Sequence, residues 1–111
     1  MFSYRETWAE VSLDAIAHNV RTIKATLRRS CRLMAVVKAD GYGHGAVQVA
    51  RAALEAGADW LGVAILDEAL QLRASGIACP ILVLGYTPPA SVEAAVKHGI
   101  AVTVFAENEL D

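Results

Sequence analysis

The residues with the clearest chemical potential lie in one short segment, Ala35-Val36-Val37-Lys38-Ala39-Asp40-Gly41-Tyr42-Gly43-His44-Gly45. Lys38 follows an apolar run that begins at Leu33. An ammonium beside hydrophobic surface is disfavoured by desolvation, so its pKa falls. An amine with a lowered pKa is a usable nucleophile toward an aldehyde, with which it forms a Schiff base. Gly41, Gly43 and Gly45 let the backbone approach a phosphate, and Tyr42 among them offers a neutral donor to a phosphate oxygen. A helix beginning after Gly45 turns its N-terminus, and its free N–H groups, toward the same region. The segment therefore reads as an amine next to an anion cradle. A solvated lysine followed by a plain glycine loop fits the same residues. The spacing matches neither a Walker loop, since no Gly-Lys-Ser/Thr follows, nor a dinucleotide fingerprint.

The elements that hold this segment repeat. Leu13, Ile16, Val20, Ile23 and Leu27 recur at spacings of three and four. They predict a helix over residues 13–27 with Ser12 or Asp14 at its start and Arg21, Lys24 and Arg28 off the apolar stripe. Residues 33–37 form an apolar run without strict alternation, as in strands buried on both faces. Residues 46–56 predict a helix ended by Gly57. The unit then recurs: strand 60–64, helix 67–74 and Gly76; strand 81–84, helix 91–98 and Gly99; strand 101–105; and a further helix from Glu107. Alternating strands and helices predict a parallel α/β sheet. Either a doubly wound sheet or a (β/α)8 barrel satisfies the pattern. A barrel needs eight units and ~250 residues, so four strands in 111 residues predict a truncated one.

Composition narrows the function classes. Of the 111 residues 55% are hydrophobic and 20% charged, and the net charge is -2. A chain this apolar forms a core and is not disordered. Its cations are scattered, which argues against nucleic-acid binding. No apolar stretch reaches the ~18 residues of a membrane span. Residues 1–10 mix Arg5, Glu6 and Glu10 with apolar side chains and lack the layout of a signal peptide, so a cytoplasmic location is expected. Cys31 and Cys79 fit no metal pattern, and no metal is expected. They precede the first and third of the repeating strands. Two strand spacings, about 10 Å, exceed disulfide reach, so both are expected to be free thiols. His44 is expected to hydrogen-bond within its loop, His18 and His98 to be solvated, and Trp8 and Trp60 to serve packing.

Residues 35–45 resemble the cofactor-lysine signature of alanine racemases, whose usual form is Val-Lys-Ala-Asn-Ala-Tyr-Gly-His-Gly. Here Asp40 and Gly41 replace Asn and Ala. Weaker matches fall in the right order: Thr7-Trp8-Ala9-Glu10-Val11, Leu13-Asp14-Ala15-Ile16 with His18-Asn19-Val20, Asp67-Glu68-Ala69, and Pro80-Ile81-Leu82-Val83-Leu84-Gly85. Together they cover nearly the whole chain.

The resemblance implies a fold-type III pyridoxal 5'-phosphate enzyme. Such an enzyme has a (β/α)8 barrel followed by a C-terminal β domain and works as a homodimer on L- and D-alanine, supplying bacterial peptidoglycan precursors. Under it, residues 13–111 are the first four βα units. Residues 1–12 include a strand, Thr7 to Val11, that joins the C-terminal β domain. Lys38 matches the lysine that carries the cofactor and acts as base on the D-enantiomer. Tyr42 matches the tyrosine that hydrogen-bonds its phosphate. Leu84 matches a residue lining the cofactor pocket. Strand parity adds Val36, on the face of Lys38, and Leu82, on the face of Leu84, to the barrel interior beneath the cofactor. The family's second base, a tyrosine from the partner subunit, and the arginine facing the pyridine nitrogen match nothing in this sequence. The 111-residue piece alone is therefore expected to be inactive. The alternatives are another fold-type III enzyme, such as a serine racemase or an amino-acid decarboxylase, or a non-catalytic pyridoxal-phosphate carrier.

Overall fold

The computed structural model describes residues 4–37 and 44–105. Helix α1 spans Tyr4–Thr26 and is followed by strand β1, Met34–Val36. Helix α2 (His44–Ala56), strand β2 (Trp60–Val63), helix α3 (Leu66–Ala74) and strand β3 (Ile81–Tyr86) come next. A 3-10 turn at Pro89–Ser91 leads into helix α4 (Val92–Lys97), and strand β4 spans Ile100–Thr103. The repeat read from the sequence is present unit by unit. The helix expected from Glu107 lies outside the described residues.

All strand pairings are parallel and the order is β1-β2-β3-β4. One row across the sheet is Ala35, Leu61, Ile81 and Ile100; the next is Val36, Gly62, Leu82 and Ala101. The first row packs under the helices. Val37, Leu61, Val63, Ile81, Val83 and Ile100 form the core with Ala46 and Ala50 of α2, Ala69 and Leu72 of α3, and Ala95 of α4. Alanines on the helices let them lie close to the branched side chains of the strands. Among the described residues no helix covers the opposite face, where Val36 is 56%, Leu84 39% and Tyr86 59% exposed. Helices on a single face of a sequentially ordered parallel sheet are the arrangement of consecutive (β/α)8 barrel units. A doubly wound sheet has helices on both faces and a reversal in strand order.

Helices α2 and α3 end as expected. Gly57 and Gly76 have φ of 125° and 91°, conformations that cost a residue with a Cβ. Each sits between the two bonds of a Schellman closure: Gly57 N–H to Leu54 O with Ala58 N–H to Ala53 O, and Gly76 N–H to Arg73 O with Ile77 N–H to Leu72 O.

Helix α1 corrects two expectations. The stretch Thr7 to Val11, expected as a strand, is helical, and the helix starts at Tyr4. Ser12 and Asp14 therefore lie inside it and do not cap it. A strand needs an external partner for its backbone groups, whereas a helix closes its own bonds. Glu6, Ala9 and Glu10 also favour a helix. Val20 of α1 packs on Ala53 and Ala58, with Ile16, Leu33 and Leu54 around them. Ile23 of the predicted stripe remains exposed. Lys24, expected merely off the stripe, is half-buried and ion-paired to Asp59.

Candidate active site

The C-terminal ends of β1, β2 and β3 lie side by side, and this is the end of a barrel that carries chemistry. Pairing continues one residue past β1, since Val37 N–H donates to Gly62 O at 2.8 Å. Val37 is 2% exposed, and Ala46, in the first turn of α2, is 6% exposed. The segment with the lysine and the glycines is thus tied to the core on both sides. Lys38 and Tyr42 themselves lie outside the described residues, and of His44 only the backbone is described.

The other three predicted residues can be placed. Val36 and Leu82 stand in one row on the face turned away from the helices, with Gly62 of β2 between them. Leu84 is two residues further along β3 on the same face. It leans toward β2: a Cβ built at Gly62 would lie 3.3 Å from Leu84 Cδ1 and 2.9 Å from Met34 Sδ. Met34 and Leu84 therefore close over a hollow that exists because residue 62 has no side chain, with Val36 and Leu82 as its row neighbours. The result is an apolar floor immediately beside the point where the chain proceeds to Lys38.

The rim above this floor is fixed through the backbone. Glu68 Oε1 accepts from Ala64 N at 2.8 Å and from Ile65 N at 3.1 Å, which shapes the turn between β2 and α3. Gly85 N–H donates to Ala64 O at 3.0 Å. Contact is so close that a Cβ at Gly85 would lie 2.5 Å from that oxygen. Thr103 Oγ1 donates to Val83 O at 2.7 Å. Thr87, just beyond β3, is buried, and its Oγ1 has no partner among the described residues.

The shifted ionisable groups among the described residues sit at the other end of the sheet. Asp59, before β2, is held below the usual carboxylate range by its hydrogen bond from Lys24 and then by that from Leu33 N–H. Cys79, before β3, has its thiol pushed up by burial. Both cysteines are free. Arg73 also works at this end, donating from Nε to His98 O, from Nη1 to Ile77 O and Cys79 O, and from Nη2 to Gly99 O. The two ends divide the labour: charge and hydrogen bonding tie the elements together at the N-terminal ends, and an apolar floor opens at the C-terminal ends.

Sequence reasoning passed over Gly62, Gly85 and the Lys24–Asp59 pair. A signal for Gly62 was available, since an isolated glycine inside an apolar strand marks close approach by another group. Nothing local marks the other two, whose partners are 21 and 35 residues away.

Fold and floor together define the first units of a (β/α)8 barrel whose working face is the C-terminal end of its strands. The model of the family described as "Alanine racemase, N-terminal domain" matches residues 11–111. The chain belongs to that family. It is 59% identical over 109 residues to alanine racemase 1 of Oceanobacillus iheyensis, covering 98% of this chain and 29% of that protein. It is 56% identical over 108 residues to the alanine racemase of Geobacillus stearothermophilus, covering 97% of this chain and 28% of that protein. The crystal structure of alanine racemase from Bacillus anthracis with bound L-Ala-P aligns with a TM-score of 0.77 at 53% identity, over 84% of this chain and 24% of that one. The crystal structure of alanine racemase from E. faecalis aligns with a TM-score of 0.79 at 43% identity, over 88% of this chain and 26% of that one. The chain thus spans under a third of the length of these relatives.

Proposed function

We propose that this chain supplies the first four βα units, residues 13–111, of the barrel of an alanine racemase, and that the complete protein interconverts L- and D-alanine. The observation that carries this reading is the apolar floor of Val36, Leu82 and Leu84 around the hollow at Gly62. It lies next to a lysine and a glycine-tyrosine-glycine segment of the family's type. The donor set suits pyridoxal 5'-phosphate: an amine for its aldehyde, a phenol and backbone N–H groups for its phosphate, and apolar side chains for its ring. When bound, that cofactor supplies an electron sink for the pair left by the α-proton.

The chain's own residues then have separate tasks. Lys38 would hold the aldehyde end in the absence of substrate, and its amine, once released by the substrate amine, would take or return the α-proton on the side of the D-enantiomer. Tyr42 donates a hydrogen bond to a phosphate oxygen. Val36, Leu82 and Leu84 exclude water beneath the ring, which strengthens each polar contact above it. The second base and an arginine facing the pyridine nitrogen come from outside this sequence, the base from the other subunit of a homodimer. A bacterial cytoplasmic enzyme feeding peptidoglycan synthesis follows from the same reading.

The test is direct. The full-length protein, loaded with pyridoxal 5'-phosphate and reduced with borohydride, should carry the label on the peptide containing Lys38 and should form D-alanine from L-alanine before reduction. A label on another peptide, or no D-alanine, would overturn the proposal.

A further inference from the structure

Gly62 stands at the centre of the floor. Its row neighbours are Val36 on one side and Leu82 on the other. The space that a side chain would take is bounded by the end of Met34 and by a δ-methyl of Leu84. These two neighbours differ in how they yield. The Met34 thioether is the far end of an unbranched chain and moves at little cost. Leu84 is shorter, branched at Cγ, and followed by Gly85, whose N–H is bonded to Ala64 O at 3.0 Å and so holds the neighbouring backbone in place. A side chain at residue 62 would therefore press on both, first on the Met34 thioether, which can swing aside, and then on the Leu84 methyls, which yield less readily.

We propose that Gly62 is a positioning residue: by having no side chain it leaves the hollow in which Leu84 sits, and so fixes the level at which Leu84 meets the bound cofactor. This rests on the assignment of the floor to pyridoxal 5'-phosphate. Gly62 touches no reacting atom and acts through the side chains it leaves room for, of which Leu84 is the one on the cofactor floor. Alanine at this position brings a methyl to 2.9 Å from Met34 Sδ and 3.3 Å from Leu84 Cδ1; the thioether swings aside, and Leu84 gives by a few tenths of an ångström. Valine carries two further methyls into the same space and requires a larger displacement.

The test uses the full-length protein and four variants: Gly62→Ala, Gly62→Val, Leu84→Ala and the double variant Gly62→Val with Leu84→Ala. Apo-protein is titrated with pyridoxal 5'-phosphate, the visible circular dichroism of the bound cofactor is recorded, and thermal melts check folding. Overpacking of a well-filled site predicts a cofactor Kd raised roughly tenfold in Gly62→Val and roughly twofold in Gly62→Ala, each with an altered visible dichroism. In the Leu84→Ala background the effect of valine should shrink to less than about twofold, because the group it displaces is gone. Unchanged Kd and dichroism in a folded Gly62→Val would overturn the proposal. So would a valine effect that persists at full size without Leu84. If Gly62→Val does not fold, Gly62→Ala decides by the same criteria. Borohydride labelling of the unsubstituted protein separates the two readings. A label on Lys38 with indifferent Gly62 variants removes this inference alone; no label on Lys38 removes the cofactor assignment and this inference together.

Discussion

The ammonium of Lys24, in the last turn of α1, donates to Asp59 Oδ2, and the same oxygen accepts Leu33 N–H at 2.8 Å. Asp59 N–H in turn donates to Leu33 O at 2.8 Å. One carboxylate thus joins α1, the residue before β1 and the residue before β2. Lys24 also lies along Gly57, where a Cβ would meet its Cγ at 3.3 Å, so the glycine that ends α2 also makes room for the clasp.

The clasp should be pH-dependent in a defined direction. The carboxyl of Asp59 is held below its ordinary value, first by the Lys24 hydrogen bond and then by Leu33 N–H. A lowered folded-state pKa contributes stability above the unfolded value near ~4 and loses it as pH falls through the folded value. Asp59→Asn should therefore lower Tm at neutral pH, and the gap to the unsubstituted protein should close as pH drops below about 4. Thermal melts of the full-length protein across that range check this, and a gap that stays constant would rule the mechanism out.

Gly85→Ala should destabilise the rim of the site. The added Cβ would lie 2.5 Å from Ala64 O, a backbone atom that cannot swing aside. Strain of this kind costs about 1 to 3 kcal/mol. Denaturant unfolding of full-length protein measures it, and a change below roughly 0.5 kcal/mol, the range of a neutral surface change, would show that the rim is softer than its geometry implies.

Arg73→Lys should destabilise nearly as much as Arg73→Ala. The guanidinium reaches four carbonyls, those of Ile77, Cys79, His98 and Gly99, through three nitrogens in one plane. An ammonium keeps the charge but lacks the fork. Losing charge-assisted bonds of this type costs on the order of 2 to 3 kcal/mol. Equal stability of Arg73→Lys and the unsubstituted protein would show that charge alone suffices.

Tyr42→Phe should weaken cofactor binding more than turnover at saturating cofactor. It removes one charge-assisted hydrogen bond worth about 1.5 to 3 kcal/mol, or roughly a 10- to 150-fold rise in Kd. Titration of the apo-variant reads this directly, and an unchanged Kd would remove the phosphate role assigned to Tyr42.

Much of the fold was legible because its determinants are local. A period of two separates the faces of a strand, so Leu82 and Leu84 could be assigned to one face of their strand from sequence alone, and Val36 was grouped with them only through the resemblance. Glycines 57, 76 and 99 mark helix ends because positive φ is a single-residue requirement. The roles of Lys38 and Tyr42 were legible only through the resemblance of residues 35–45, since a lysine at a strand end and a glycine loop have several uses. The structure adds nothing on those two, which lie outside the described residues.

What the tertiary structure decided is everything that depends on which strand lies beside which. Alternation states which residues share a face within one strand, but not the register or the neighbour. The same βα repeat is compatible with a doubly wound sheet, and only the order β1-β2-β3-β4 with helices on one face selects the barrel arrangement. The row Val36, Gly62, Leu82 exists through the β1–β2 and β2–β3 registers. The start of α1 at Tyr4, against an expected strand at Thr7 to Val11, is decided by whether a strand's backbone groups find an external partner or close on themselves. Lys24 reads from sequence only as a residue off the apolar stripe of its helix; it is a clasp because folding brings Asp59, 35 residues away, within reach of its ammonium.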